Sequence, residues 1–334
     1  ALYSGLGRAY ELTEAWPQAK DCYEAMIAAA QEMGAEAMEC MGLNHLATVY
    51  NTGLINPQQG ITLLERARLL AEQSGDQRGL AETEWNLSRT NLFMGERDRA
   101  LEHAQLALTL ARELDHPLLL ARGVQGVSFA LTQHRQWEEA ERYAAEAQQR
   151  YAEVGNLIMA ADNQRMVGGC QLQSGYPHKS LATMEEALAF SRQVENLWGQ
   201  AESARFLSTI HAELGNYGEA LKMAREAITQ AQKVGEPIMT NAKTAVGFTY
   251  RGIMALDIAQ KYQLEVIAAT AGGGFNPFPD WTLSELCAVY AMAGEWVQAH
   301  DYAKQVLEFH AGSDVLPMGM AGWYETEALL RGGD

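Results

Sequence analysis

The residues of this 334-residue chain best suited to chemistry are six arginines: Arg8, Arg89, Arg122, Arg165, Arg205 and Arg251. A guanidinium presents planar, paired donors that match a carboxylate or a phosphate. Trp85, Phe129 and Phe248 interleave with them, and aromatic faces give rigid apolar contact. Asn44, Thr48, Asn51, Gln125 and Thr209 add amides and hydroxyls on the same spacing. No lysine joins the set, and the whole chain carries a net charge of −17. The chemistry on offer is recognition of an anion.

Catalysis needs a different constellation, and the common ones are missing from the sequence. There is no GxxxxGK[ST], and the Gly272-Gly273-Gly274 run follows a helical segment and lacks the lysine of a phosphate loop. There is no HExxH and no GxSxG, and the eight histidines have no regular ligand spacing. Cys22, Cys40, Cys170 and Cys287 are scattered with no CxxC pair, which argues against zinc and a disulfide framework. Glu138, Glu139 and Glu141 read as a solvated helix face. The expectation is a chain that is not an enzyme and needs no cofactor or metal.

What places the arginines on one face is a repeat. Ala19, Gly60, Ala100, Ala140, Ser180, Ala220, Ala259 and Ala299 follow one another at intervals of 41, 40, 40, 40, 40, 39 and 40 residues. Twelve residues earlier stands a second slim column: Gly7, Ser88, Ser128, Gly168, Ser208, Gly247 and Cys287, with Ala47 one residue out of step. Two antiparallel helices that cross closely tolerate only small side chains at the crossing. Larger apolar residues sit beside that column at Leu6, Leu46, Leu87, Val127, Val167, Leu207, Val246 and Leu286. A third column, Ala67, Ala107, Ala147, Ala187 and Ala227, is slim enough for the second helix to pack on the next unit.

Punctuation keeps the same beat. Gly95, Gly175, Gly215 and Gly294 fall between the helices of a unit, and Gly34, Gly75, Gly155, Gly235 and Gly274 follow the second helix. Pro117, Pro237, Pro277 and Pro317 lie near the start of the next first helix. Apolar spacing of i, i+3, i+4 and i+7 between these marks, without strand-like alternation, makes the chain all-helical. The units are read as 1–40, 41–80, 81–120, 121–160, 161–200, 201–239, 240–279 and 280–318, with a partial one over 319–334. The seventh is irregular: its inter-helix turn lacks a glycine, and residues 271–281 form a long loop carrying Phe275, Phe278 and Trp281. That loop reads as a connector whose aromatics tuck onto the array, the alternative being a hinge or partner contact.

Leu207-Ser208, Gly215-Asn216-Tyr217, Ala220 and Ala227 resemble the tetratricopeptide repeat signature. So do Leu6-Gly7-x-x-Tyr10 with Trp16 and Ala19, and Leu286-Cys287-x-x-Tyr290 with Gly294, Trp296 and Ala299. The unit exceeds the family's usual length of about 34 residues. Units this long resemble the sensor segments of bacterial multidomain transcriptional regulators of the maltose-activator type, and those of peptide-pheromone receptors. The resemblance implies one right-handed α-α superhelix over 1–334, a solenoid of about eight antiparallel helix pairs plus a terminal helix. It also implies that first helices line a concave wall, so that the arginine–aromatic stripe at positions 2, 5, 9 and 12 of each unit becomes a ligand groove. Glu82, Asp162 and Glu202 share the stripe, and the alternative is that they pair with Arg122, Arg165 and Arg205 as structural bridges between neighbouring first helices.

The expected function is a protein- or peptide-binding scaffold, the sensor or interaction segment of a larger signalling or transcriptional regulator. A free-standing adaptor or peptide receptor is the alternative, and an enzyme with a site in the groove a remoter one. The partner is expected to be a protein or peptide, anionic if the arginine wall holds it. So acidic a chain repels phosphate backbones, which argues against direct nucleic-acid binding. No apolar run reaches the roughly twenty residues of a membrane span, and a cytoplasmic, bacterial setting is expected. The chain is also expected to be a piece of a longer protein: it lacks an initiator Met, and residues 318–331 read as a further helix without a polar cap. Uncapped ends are expected to permit self-association.

Overall fold

Helix boundaries follow the punctuation. A computed structural model describes residues 2–13, 15–54, 56–235, 238–271 and 279–309. Among them are sixteen helices and no strand: α1 (Leu2–Leu12), α2 (Trp16–Glu32), α3 (Glu36–Thr52), α4 (Pro57–Ser74), α5 (Gln77–Met94), α6 (Arg97–Glu113), α7 (Pro117–Gln133) and α8 (Trp137–Glu153). They continue as α9 (Leu157–Gln173), α10 (Pro177–Gln193), α11 (Leu197–Glu213), α12 (Tyr217–Val234), α13 (Ile238–Gly252), α14 (Leu256–Ala271), α15 (Pro279–Ala293) and α16 (Trp296–Phe309). Each first helix from α3 onward opens slightly ahead of the unit start read from the columns. Its first turn carries the cap rather than the packing residues. Asp76, His116, Asn156 and Asn196 each accept a backbone N–H at the start of a first helix, a contact worth about 1 kcal/mol.

The turns need left-handed backbone. Gly95, Gly175, Gly215 and Gly294 adopt φ between 76° and 82°, where a Cβ is disfavoured. The seventh unit puts Met254 in that region (φ 61°) where a glycine is missing, and Asp115, Arg135 and Glu195 do likewise in other turns. The irregular stretch is shorter than the sequence suggests. Helix α14 runs to Ala271 and α15 opens at Pro279, so Trp281 is helical. Phe275, Phe278, Gly274, Pro237, Pro277, Pro317 and the expected terminal helix over 319–334 lie outside the described residues.

The chain divides into two compact units, Ala1–Ser174 and Gly175–Asp334. In the first, α1 to α9 each pack on the next, and first helices also pack on first helices, α3 on α5 and α5 on α7. In the second, α10 to α16 do the same, with α11 on α13 and α13 on α15. Every member of both slim columns is buried. At one crossing the Ser128 hydroxyl of α7 donates to the Ala140 carbonyl of α8 at 2.9 Å, an approach that a larger side chain would block. In the neighbouring apolar column Leu46, Leu87, Val127, Leu207, Val246 and Leu286 are buried and Val167 is half-buried. Leu6 is 43% exposed, because no described helix precedes α1 to cover it.

A second layer of order is polar. The Asn44 amide donates to Thr83 Oγ1 and its carbonyl accepts from Asn86, both at 2.8 Å, and Asn51 donates to Thr90 at 2.7 Å. These bonds tie α3 to α5. Ser208 with Thr249 (2.8 Å) and Thr244 with Thr282 (3.4 Å) tie α11 to α13 and α13 to α15. Fully buried Glu84 of α5 faces His103 Nδ1 at 2.6 Å and Arg68 Nε at 3.0 Å. Buried polar groups paired across units fix which helix neighbours which, because a slipped register would leave them unpaired.

His45 of α3 stacks on Tyr23 of α2 with ring centroids 4.9 Å apart. Burial lowers its pKa below the ordinary 6.5, with Glu82 and Glu11 opposing and Arg8 and Arg122 adding to the shift. The fold therefore favours the neutral ring. Its contribution is complete above about pH 6.5, falls as the pH drops below that value, and levels off beneath the depressed folded pKa. We expect urea denaturation to show lower stability at pH 5.5 than at pH 7.5, and His45→Gln to reduce that difference. An unchanged difference would remove His45 from the acid response.

Candidate functional site

The first helices carry the sequence-derived stripe, and the structure sorts its residues into separate groups. Asn44 is buried, 3% exposed, and its amide is committed to the α3–α5 ladder. Asn51 serves the same ladder, and Thr48 donates to the Asn44 carbonyl. Arg8 is exposed on α1 and donates to Glu11. Arg165 is buried on α9.

Trp85, Arg89 and Arg122 come together between α5 and α7, with Gln125 and Phe129 following along α7. The Arg89 guanidinium carbon lies 4.9 Å from the Trp85 ring centroid and that of Arg122 5.0 Å from it. The indole lies beside α7, its Cδ1 in ordinary contact distance, 3.4 Å, of where a Cβ on Gly126 would stand. Arg122 donates to Glu82 Oε1 at 3.0 Å, the bridge between neighbouring first helices that the spacing allowed. Arg89 forms no ion pair or hydrogen bond among the described residues. Burial lowers its pKa, Arg122 adds to the shift, and Tyr151 opposes it; an arginine so shifted stays cationic near neutrality. Tyr151 of α8, pushed up to about 12 by burial, donates to Gln125 Oε1 at 2.9 Å. That bond ties α8 to α7. Phe129, 37% exposed, stands one turn further along α7.

Arg205, Phe248 and Arg251 come together in the second unit with a different balance. Arg205 pairs bidentately with Glu202 one turn earlier on α11, at 2.9 and 3.2 Å, and both side chains are 5% exposed. The expected bridge to a neighbouring helix is here a bridge within the helix. Asn241 of α13 also donates to Glu202 at 3.2 Å. Arg205 lies over Phe206 at 4.0 Å, and Trp281 approaches Arg205 at 5.8 Å and Phe248 at 6.5 Å. Thr209 donates to the Arg205 carbonyl. Arg251 lies 5.0 Å over Phe248 and forks onto Glu285 at 2.7 and 3.2 Å. The Trp281 aromatic thus tucks onto this wall.

Glu285, Tyr151 and Asn241 are absent from the sequence-derived set. The column spacing held a signal for Trp281: it precedes Cys287 by the interval separating Glu202 from Ser208, so the stripe continued one unit further would include it. For acid–base or metal chemistry the described residues assemble no group of three metal-ligating side chains. The Cys40 thiol is pushed up to about 11 and the Cys170 thiol to about 12 by burial, which disfavours the reactive thiolate. Two shallow depressions, of about 470 Å³ beside α14 and about 380 Å³ at the start of α8, lie off the stripe. No helix among the described residues is long and apolar enough to cross a membrane.

Residues 38–113 match the tetratricopeptide repeat family model. The match covers α4, α5, α6 and most of α3, and the same pairing of successive helices recurs among the other described residues. Solved structures share the fold. A Rap protein complexed with competence and sporulation factor aligns with TM-score 0.67 and 13% identity, over 92% of this chain and 95% of that one. The apo form of the quorum sensor NprR from B. thuringiensis gives 0.68 at 12%, over 90% and 84%. A signal-transduction ATPase of the STAND class with a tetratricopeptide repeat sensor, from Pyrococcus horikoshii, gives 0.54 at 12%, over 94% of this chain and 50% of that one. No curated protein matches the chain significantly in sequence.

The two kinds of arginine pair differ in what their loss costs. Glu202 and Arg205 are desolvated together, and removing one partner of such a pair costs about 3–5 kcal/mol. Glu82 and Arg122 are about 30% exposed, where a pair is worth about 0–1 kcal/mol. We expect Glu202→Gln to lower the urea midpoint clearly and Glu82→Gln to leave it within error. Equal effects would contradict this division.

Proposed function

We propose that the chain is the sensor or interaction segment of a larger signalling or transcriptional regulator, and that its first helices bind a peptide or protein partner. The proposal takes residues 1–334 as one continuous array working in the cytoplasm. The observation that carries it is the open cluster on α5 and α7. There Arg89 has no carboxylate partner among the described residues, and Trp85 and Phe129 keep apolar surface in reach of solvent. Desolvated cations and part-exposed aromatics on a rigid helical face cost stability in isolation and gain contacts with a ligand. Two of the structural relatives support the reading by what they do. One is complexed with competence and sporulation factor and one is a quorum sensor. The STAND protein, twice as long as the stretch this chain matches, carries its repeats as a sensor.

The test is binding of randomised decapeptides to the purified chain, read by fluorescence polarisation. Trp85→Ala with Phe129→Ala should weaken the best binders at least tenfold. Leu69→Ala with Val297→Ala, exposed on second helices, should leave them unchanged. If no peptide binds, or the second-helix pair matters as much as the first, the proposal fails. A P-loop and a helix-turn-helix in the same reading frame would favour the regulator over a free-standing adaptor.

A further inference from the structure

We propose that α14 is a detachable helix, one that leaves α13 and opens while α10, α12 and α13 stay folded. Four residues after the slim column, the second helices carry a further buried column. In the second compact unit it reads Met184, Ala224, Gln263 and Ala303, so Gln263 is its polar member. The side chain is fully buried, and its amide donates to the Thr244 carbonyl of α13 at 3.0 Å. Gly247 of α13 makes room for it, since a Cβ there would collide with the Gln263 amide. The Gln263 side-chain oxygen has no hydrogen-bond partner among the described residues. A buried acceptor in that state favours opening, because water satisfies it once the helix departs.

The turn into α14 adds strain. Met254 holds φ 61° at the position where other turns of this unit have Gly175, Gly215 and Gly294, a region that disfavours a side chain. Little apolar burial opposes the opening. Beside Gln263, α14 buries Ala259 and Val266, whereas α12 buries Ala220, Met223, Ala224, Ala227 and Ala231. The remaining holds are peripheral: Tyr262 stacks on Tyr250 with centroids 6.1 Å apart, and half-buried Leu264 and Ile267 pack on α15. Helix α13 is secured without α14. Thr249 bonds to Ser208 and Asn241 to Glu202 on α11, and Arg251 forks onto Glu285 of α15. The first helices therefore keep their register when α14 departs. Elements that move are drawn from the low-stability end of a structure, and α14 has the features of that end.

Native-state hydrogen exchange of the whole chain, read by mass spectrometry helix by helix, tests this. Amides of α14 should be at least tenfold less protected than those of α12 and α13. Gln263→Met gives α14 the residue that Met184 supplies in α10, and should raise α14 protection at least tenfold. The reverse exchange, Met184→Gln, should lower protection in α10. Met254→Gly should also raise protection in α14 by relaxing the turn, and serves as the test if Gln263→Met folds poorly. Protection in α14 equal to that in α12 overturns the proposal, as does an α14 that neither Gln263→Met nor Met254→Gly protects. Loss of protection in α13 together with α14 overturns it too, since the pair then opens as one.

Discussion

Two helices can lie against each other only as closely as the bulkiest side chain at their crossing allows. In this chain that position is held by alanine, glycine or serine on one helix and by glycine, alanine, serine or cysteine on the other, in every unit. The Ser128–Ala140 contact shows the consequence, a side chain of one helix reaching the backbone of its partner at 2.9 Å. Large residues then fill the space on either side. Tyr23, Leu43, Leu64, Tyr151, Leu207 and Leu286 are among the fully buried side chains, and burying a leucine contributes about 1.5–3 kcal/mol. The slim positions contribute little by their own burial. They set the geometry in which the large ones pack.

Close pairing also decides what the first helices can offer. With the pair interface filled, the remaining faces of α3, α5, α7, α11, α13 and α15 meet their counterparts one unit away. Hydrogen bonds between Asn44, Asn86 and Thr83, and between Ser208 and Thr249, use the polar residues nearest the core. The stripe beyond them is left for charged and aromatic side chains. Where a glutamate lies within reach, the arginine is neutralised and becomes structural, as at Arg205 and Arg251. Where none does among the described residues, as at Arg89, the cation is left without an ion pair. The open cluster is a gap in the pattern of pairing.

Much of the fold was legible because the requirement for a slim side chain applies position by position. Eight residues at forty-residue spacing report eight crossings without reference to anything distant in the chain. The arginine pairs were less legible. Glu202 and Arg205, three residues apart, are placed for a bridge within one helix, yet spacing alone equally allows a bridge between neighbours, and rotamer and crossing angle decide. Glu285 and Tyr151 reach the stripe from positions that the period does not mark as facing it. The division near Ser174 left no trace in the columns, since Ala140, Ser180 and Ala220 keep the beat across it. A periodic signal reports how helices meet within a repeat and is silent on how many repeats cohere.

The central claim is that the small side chain at the crossing is a steric requirement. The most direct measurement is the urea stability of Ala140→Leu, at a fully buried position, against Glu138→Leu, on the outer face of the same helix. Overpacking a closed crossing costs typically about 1–3 kcal/mol, occasionally more. The account predicts a loss of that size for Ala140→Leu and little change for Glu138→Leu. A tolerated leucine at residue 140, with the midpoint unmoved, would contradict it.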